Sequence, residues 1–403
     1  MMIDLFYTLI FLGIGLLFVN MIISNENIKH KKNLNLLLLF HFLVGFAFFL
    51  FTTDGGGDAW GYWTAAKKLT TSQFWSFLYE AQGTYFMYSF NYIPAGLLGM
   101  SFFANTMFFA LIGYMGTVYF YLFALKIIPY NSRFKNYNLF PLLFFMPNLH
   151  FWSSGIGKDT LLFLCIGMFS YATLNLIKRV PLLVLSLLLS YLVRPHITLF
   201  LLIGFAFGYL FTSKIPMFKR MFLILLLIGG GLIILPSVMK FAKIEETSVT
   251  SFNQFSEDKA EALSRSSTGS AVDISSYPFP LKVFTFLYRP FFFDIRGIPA
   301  IVASFENLIL LILTIQVLRN NFISTFKAAP FAVKGLFFFL IIGTLAFSQS
   351  LGNVGIMIRM RNMFLPGMLI YILWSFSYQQ QLRLNLIKLK RKSYNKQLSI
   401  NET

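Results

Sequence analysis

The sequence predicts an all-α fold, a polytopic integral membrane bundle of about eleven transmembrane helices with short or broken helices around an outward-facing cavity. Three observations carry this reading. Of the 403 residues, 57% are hydrophobic and only 12% are charged, whereas a soluble domain is near half apolar and about a quarter charged. Apolar runs approaching the ~20 residues needed to cross ~30 Å of hydrocarbon recur along the whole chain. The charges also sort by side once the chain is threaded through a bilayer. Connections on one side hold 20 of the 33 Lys/Arg, with Glu26 and Glu402 as their only acids, and the other side holds 13 Lys/Arg and 13 acids. Basic loops stay cytoplasmic, so the net charge of +18 falls on the cytoplasmic face. The outer face is balanced but rich in charge.

The elements follow in order. Residues 3–23 read as a first span, because the run lacks a basic leader, carries Asp4 and ends without a small-residue cleavage pattern. Spans 34–51 and 102–127 flank an external segment, 52–101, whose apolar stretch Tyr92–Phe103 suits an amphipathic or re-entrant helix. Spans 139–152, 156–177, 181–193, 197–212 and 219–239 are joined by short turns. A second external segment, 240–297, has a Ser/Glu-rich centre (Ser248–Ser276) and turns aromatic and basic from Phe284 to Arg296. Spans 298–318, 332–350 and 363–379 complete one membrane domain, 1–379, and 380–403 is a basic cytoplasmic tail. An odd number of crossings places the N-terminus outside and the C-terminus in the cytoplasm.

Several function classes are excluded. The basic residues line cytoplasmic span ends, so the high pI does not point to nucleic acid. Cys165 is the single cysteine and lies in an apolar run, which leaves no intramolecular disulfide and no cysteine metal site. Histidines at 30, 41, 150 and 196 lack ligand spacing. Nothing calls for a metal or another cofactor.

The chemistry gathers on the outer side. Asp54 and Asp58 flank three glycines and precede Trp60 and Tyr62. Carboxylates can bind or deprotonate sugar hydroxyls and aromatic rings stack on pyranose faces, although Asp58 also suits a helix cap. Trp152-Ser-Ser-Gly-Ile-Gly-Lys158-Asp159 feeds a helix N-terminus, where backbone N–H groups favour anions. Lys158 is out of place beside that dipole unless an anion joins it, or unless it snorkels to the interface. The 13-residue run 181–193 ends in Arg194-Pro195-His196. A helix that short rises ~20 Å, so the turn should lie below the surface, and ionisable groups there are costly and mostly functional. Arg289, Asp294 and Arg296 form a basic aromatic approach to a span that holds Glu306. Arg359 and Arg361 open the last span, and alternation along an extended 352–361 would aim both the same way. A pair of guanidinium forks matches the oxygens of a pyrophosphate.

Taken together, Asp54–Tyr62, Trp152–Asp159, Arg194-Pro-His196, Arg289-Pro and Arg359-x-Arg361 resemble the Wzy-type oligosaccharide repeat-unit polymerases, including the EpsG-like branch. These are bacterial inner-membrane enzymes of the wider GT-C-like glycosyltransferase class. The resemblance spans most of the chain. It departs at the family's Arg-x(n)-Gly loop pattern, present only loosely as Arg194 to Gly204. It implies an undecaprenyl-pyrophosphate-linked glycan as substrate within the lipid bilayer, with a flippase and a chain-length regulator as partners. By it Arg194, Arg289, Arg359 and Arg361 inherit the donor pyrophosphate, with Arg296, Lys158, Tyr62 and Glu306 around the substrate. Asp58, Asp54 or His196 would be the base. Competing readings are a polyprenyl-monophosphate-dependent glycosyltransferase, a flippase or transporter of lipid-linked glycans, and a structural membrane subunit.

Overall fold

The computed structural model describes residues 2–23, 28–53, 57–80, 82–130, 132–212, 216–242, 272–274, 276–295 and 297–401. Asp54, Arg296 and most of the Ser/Glu-rich segment therefore lie outside the described residues. The chain is almost wholly helical; among the described residues the strands are one two-residue pair, in which Arg133 faces Asn138. The first half comprises α1 (Met2–Ile22), α2 (Ile28–Thr53), α3 (Gly57–Lys68), α4 (Thr71–Glu80), α5 (Thr84–Asn91, continued by a π-helical turn to Leu97) and α6 (Phe102–Ile127). There follow α7 (Leu139–Leu142), α8 (Pro147–Ser154), α9 (Lys158–Thr173), α10 (Val180–Val193), α11 (Pro195–Leu210) and α12 (Met217–Ala242). The C-terminal third holds α13 (Phe279–Tyr288), α14 (Ile298–Arg319), α15 (Phe322–Ala328), α16 (Phe331–Ser350), α17 (Val354–Arg361) and α18 (Leu365–Asn401).

Five helices, α1, α2, α6, α14 and α16, are long and apolar enough to cross a membrane among the described residues. The bent pair α17 and α18, at 59°, makes a sixth if counted as one span. These helices mark a membrane protein. Of the about eleven crossings expected, these five or six meet the length and apolarity of a full span among the described residues, and several of the others are short or broken helices. Run 139–152 is broken into α7, a 3-10 turn and α8, with Pro141 and Pro147 removing donors that a continuous helix would use. Helices α9, α10 and α11 have 16, 14 and 16 residues, or roughly 21–24 Å of rise. Helix α9 starts after the Gly155–Gly157 turn, and Pro195 separates α10 from α11. Helix α18 runs for 37 residues and continues into the basic tail.

The helices still share two ends. Thr52 at the C-terminus of α2 lies beside the start of α9, while His30 near its N-terminus bonds Tyr121 near the end of α6. The same far end gathers Ser132 on the Leu373 carbonyl, Lys334 on the Phe211 carbonyl, and Gln379 on Asn320. Segments expected outside meet at the near end and those expected inside at the far end.

Helix α6 is the axis of the bundle and is buried along most of its length. A Cβ on Gly167 would come within 2.8 Å of the Gly116 carbonyl, so only glycine lets α9 approach α6 this closely. Gly208 against Gly335 does the same for α11 and α16, at 2.4 Å. Small residues at such crossings replace the hydrophobic drive that lipid cannot supply.

Candidate functional site

One cavity of about 610 Å³ opens at the near end. Its walls come from the end of α2 (Phe48, Phe51, Thr52), the start of α3 (Asp58), the α8–α9 turn (Trp152, Asp159), the 289–294 segment and α17 (Arg359). These elements are distant in sequence, and a line of charge ties them together.

Asp159 is its centre. It occupies the first turn of α9 with a side chain only 5% exposed, and Arg194 holds one oxygen at 2.9 Å. The Arg359 Nε holds the other oxygen, and Arg359 Nη1 reaches Asp58 at 2.9 Å. The result is a chain Asp58–Arg359–Asp159–Arg194 across four segments. Two carboxylates balance two guanidiniums, which is how charge survives burial. Lys158 donates to Thr84 Oγ1 at 3.0 Å and adds a further positive charge beside it. Burial, with the Asp58 carboxylate next to it, pushes the Tyr62 phenol up to about 12, so Tyr62 stays a neutral donor at ordinary pH.

Backbone geometry explains why Arg194 belongs to this line. Its N–H closes α10 on the Ser190 carbonyl at 2.8 Å, its backbone is extended, and Pro195 opens α11 without a donor. The guanidinium also rests on the Met360 and Met363 sulfurs, at 3.2 and 3.6 Å. The turn is buried, as the short run demanded. His196 takes a different course, with its ring edge-on to Phe200 and Phe347, outside the cavity lining.

Arg289 does line the cavity, gripped in a fork by Asp294 at 2.9 and 2.5 Å. Arg361 does not. The expectation that Arg359 and Arg361 point the same way fails because 354–361 is helical, with Asn353 capping the Ile356 N–H at 3.1 Å. Two residues of helix turn a side chain by about 200°. Arg359 therefore faces the cavity, while Arg361 is buried behind it on the carbonyls of Phe286, Leu287 and Arg289 and on Asn307 Oδ1 at 2.7 Å. A cation there complements the C-terminal end of α13.

Glu306 lies inside the bundle, with one oxygen on the Asn148 N–H at 2.9 Å and the other on the Asn148 amide at 2.5 Å. Asn148 is itself at the cavity wall, so Glu306 reaches the site through it. Sequence reasoning missed Asn148, and it gave Asp159 no role beyond its place at a helix start. The rule that ionisable groups inside a membrane are costly would have singled out Asp159. Two of the scattered histidines also meet, His41 Nδ1 and His150 Nδ1 being 2.6 Å apart and fully buried. Among the described residues no group of three or more His, Cys, Asp or Glu could hold a metal.

Aromatic rings complete the walls: Phe51 packs on Phe151, and Phe48 and Phe151 pack on Trp152. The cavity thus pairs an apolar aromatic side with a charged one. No family model matches the chain, and neither a curated protein nor a solved structure is detectably similar to it.

Proposed function

We propose that this chain is a membrane glycosyltransferase that polymerises lipid-pyrophosphate-linked oligosaccharide repeat units on the outer face of a bacterial cytoplasmic membrane. The observation that carries the proposal is the line Asp58–Arg359–Asp159–Arg194, buried at Asp159 and Arg194 and open at Asp58, beside a cavity that also has aromatic walls. In such a site Arg359 and Arg289 would steady the leaving pyrophosphate, where fixed cations matter most as charge develops. The acceptor sugar's hydroxyl forms a bond to the anomeric carbon as the bond from that carbon to the pyrophosphate oxygen breaks. The hydroxyl proton passes to Asp58, the carboxylate exposed to the cavity. Arg194 and Asp159 hold Arg359 in place. Arg361 and Glu306 stand behind the wall and tie its segments together.

The direct test is Asp58→Asn in cells and in purified protein supplied with lipid-linked repeat units. Polymer should be lost while the protein stays folded in the membrane. Normal polymer would remove Asp58 from the chemistry.

A second reading, a polyprenyl-monophosphate-dependent glycosyltransferase, is favoured by one observation: Arg289 is already forked to Asp294, which leaves Arg359 as the principal cavity cation. Supplying purified protein with each donor form separates the two.

The reading also fixes orientation. The end that gathers Arg133, Lys135, Lys178 and Arg179 belongs in the cytoplasm and the cavity outside. Reporters fused after Asn136 should read cytoplasmic, and those after Thr70 external. An external signal at Asn136 would invert the proposal.

A further inference from the structure

Arg359 serves two carboxylates that differ in every respect that governs exchange. Asp159 is 5% exposed and shared with Arg194, so removing it from Arg359 would strand buried charge. Asp58 is 59% exposed, stands at the cavity edge in the first turn of α3, and meets Arg359 through a single oxygen at 2.9 Å. Half-exposed ion pairs exchange with water at little cost, because solvent screens the pair and hydrates the released carboxylate. Buried ones do not.

We propose that Asp58 is a releasable counter-ion of Arg359: an anionic ligand entering the cavity takes its place on the guanidinium and frees the carboxylate. The inner pair, Arg359 with Asp159, stays closed throughout and keeps the guanidinium aimed at the cavity. Arg359 keeps two anionic partners with and without ligand, Asp159 always and either Asp58 or the ligand. The inference rests on the polymerase reading only for the identity of the anion. If that reading holds, the exchange sets an order: phosphate oxygens displace Asp58 first, and the freed carboxylate then accepts the acceptor's proton. A base locked to Arg359 while the cavity is empty becomes available only when a leaving group is held.

Inorganic pyrophosphate is the probe, with binding followed calorimetrically on the purified chain in nanodiscs at fixed ionic strength. Asp58→Asn removes the competitor and should tighten binding about two- to fivefold, the fold-change that one screened ion pair is worth. The gain must depend on Arg359, so it should vanish when Asp58→Asn is placed on Arg359→Ala. Measurable binding to Asp58→Asn with none to the unchanged chain would also support the exchange. Equal or weaker binding to Asp58→Asn would overturn it and leave the anion site standing. So would a gain that persists without Arg359, since that is charge acting through space. No binding to either form would overturn both the exchange and the anion reading of the cavity. Melting temperatures of each variant, matched to the unchanged chain, keep misfolding from passing as any of these results.

Discussion

Asp159→Asn should cost about 3–5 kcal/mol of stability, the range seen when one partner of a buried ion pair is removed. The asparagine keeps the shape but not the charge, and it leaves Arg194 and Arg359 facing each other with no anion between them. Arg194, 9% exposed and wedged against two methionine sulfurs, cannot turn to water, and Arg359 keeps only the exposed Asp58. Thermal unfolding of the purified chain should show a large fall, with loss of membrane-inserted protein in cells. Asp58→Asn breaks a pair of similar length whose carboxylate is 59% exposed, and it should cost less than about 1 kcal/mol. The contrast matters more than either value. If Asp159→Asn melts with the unchanged chain, the two arginines have another counter-ion and the line of charge is not what holds these segments together.

How much of this was written in the sequence depends on the range of the interaction. Arg194 was legible because its signal is local: a short apolar run ends at proline, so burial of the turn follows from helix rise. Convergence of the charged segments at one end was legible because charge sorts by side across a bilayer. The orientation of Arg359 and Arg361 was misread because Gly352 and the basic pair suggested an extended strand. Asn353 carried the missed signal, since asparagine followed by an apolar helical run is a helix start. The breaks at Pro141 and Pro147 were legible as helix breaks but were left inside one expected span, 139–152. Asn148 with Glu306, and His41 with His150, rest on pairs 158 and 109 residues apart. Nothing in one sequence aligns such partners, because helix packing sets them.

Those two arginines also separate most sharply in experiment. Arg359→Ala removes the cavity cation, and losing one charge-assisted contact to a phosphate should cost about 1.5–3 kcal/mol, a roughly tenfold to hundredfold fall in polymer formation. Arg359→Lys should recover only part of it, because one ammonium cannot hold Asp159 through Nε and Asp58 through Nη1 at once. Arg361→Ala acts elsewhere. It strips donors from three carbonyls at the end of α13 and from Asn307, whose own amide holds the Pro290 carbonyl at 2.8 Å. Buried acceptors left without partners cost about 1–3 kcal/mol each, so the variant should reach the membrane in much reduced amount. Its folded fraction should still polymerise at close to the unchanged rate, because Arg361 does not face the cavity. Rate per folded molecule, with membrane levels matched, distinguishes the two positions. Folded Arg361→Ala as inactive as Arg359→Ala would mean that Arg361 reaches the substrate after all. Normal polymer from Arg359→Ala would place the reaction outside this cavity.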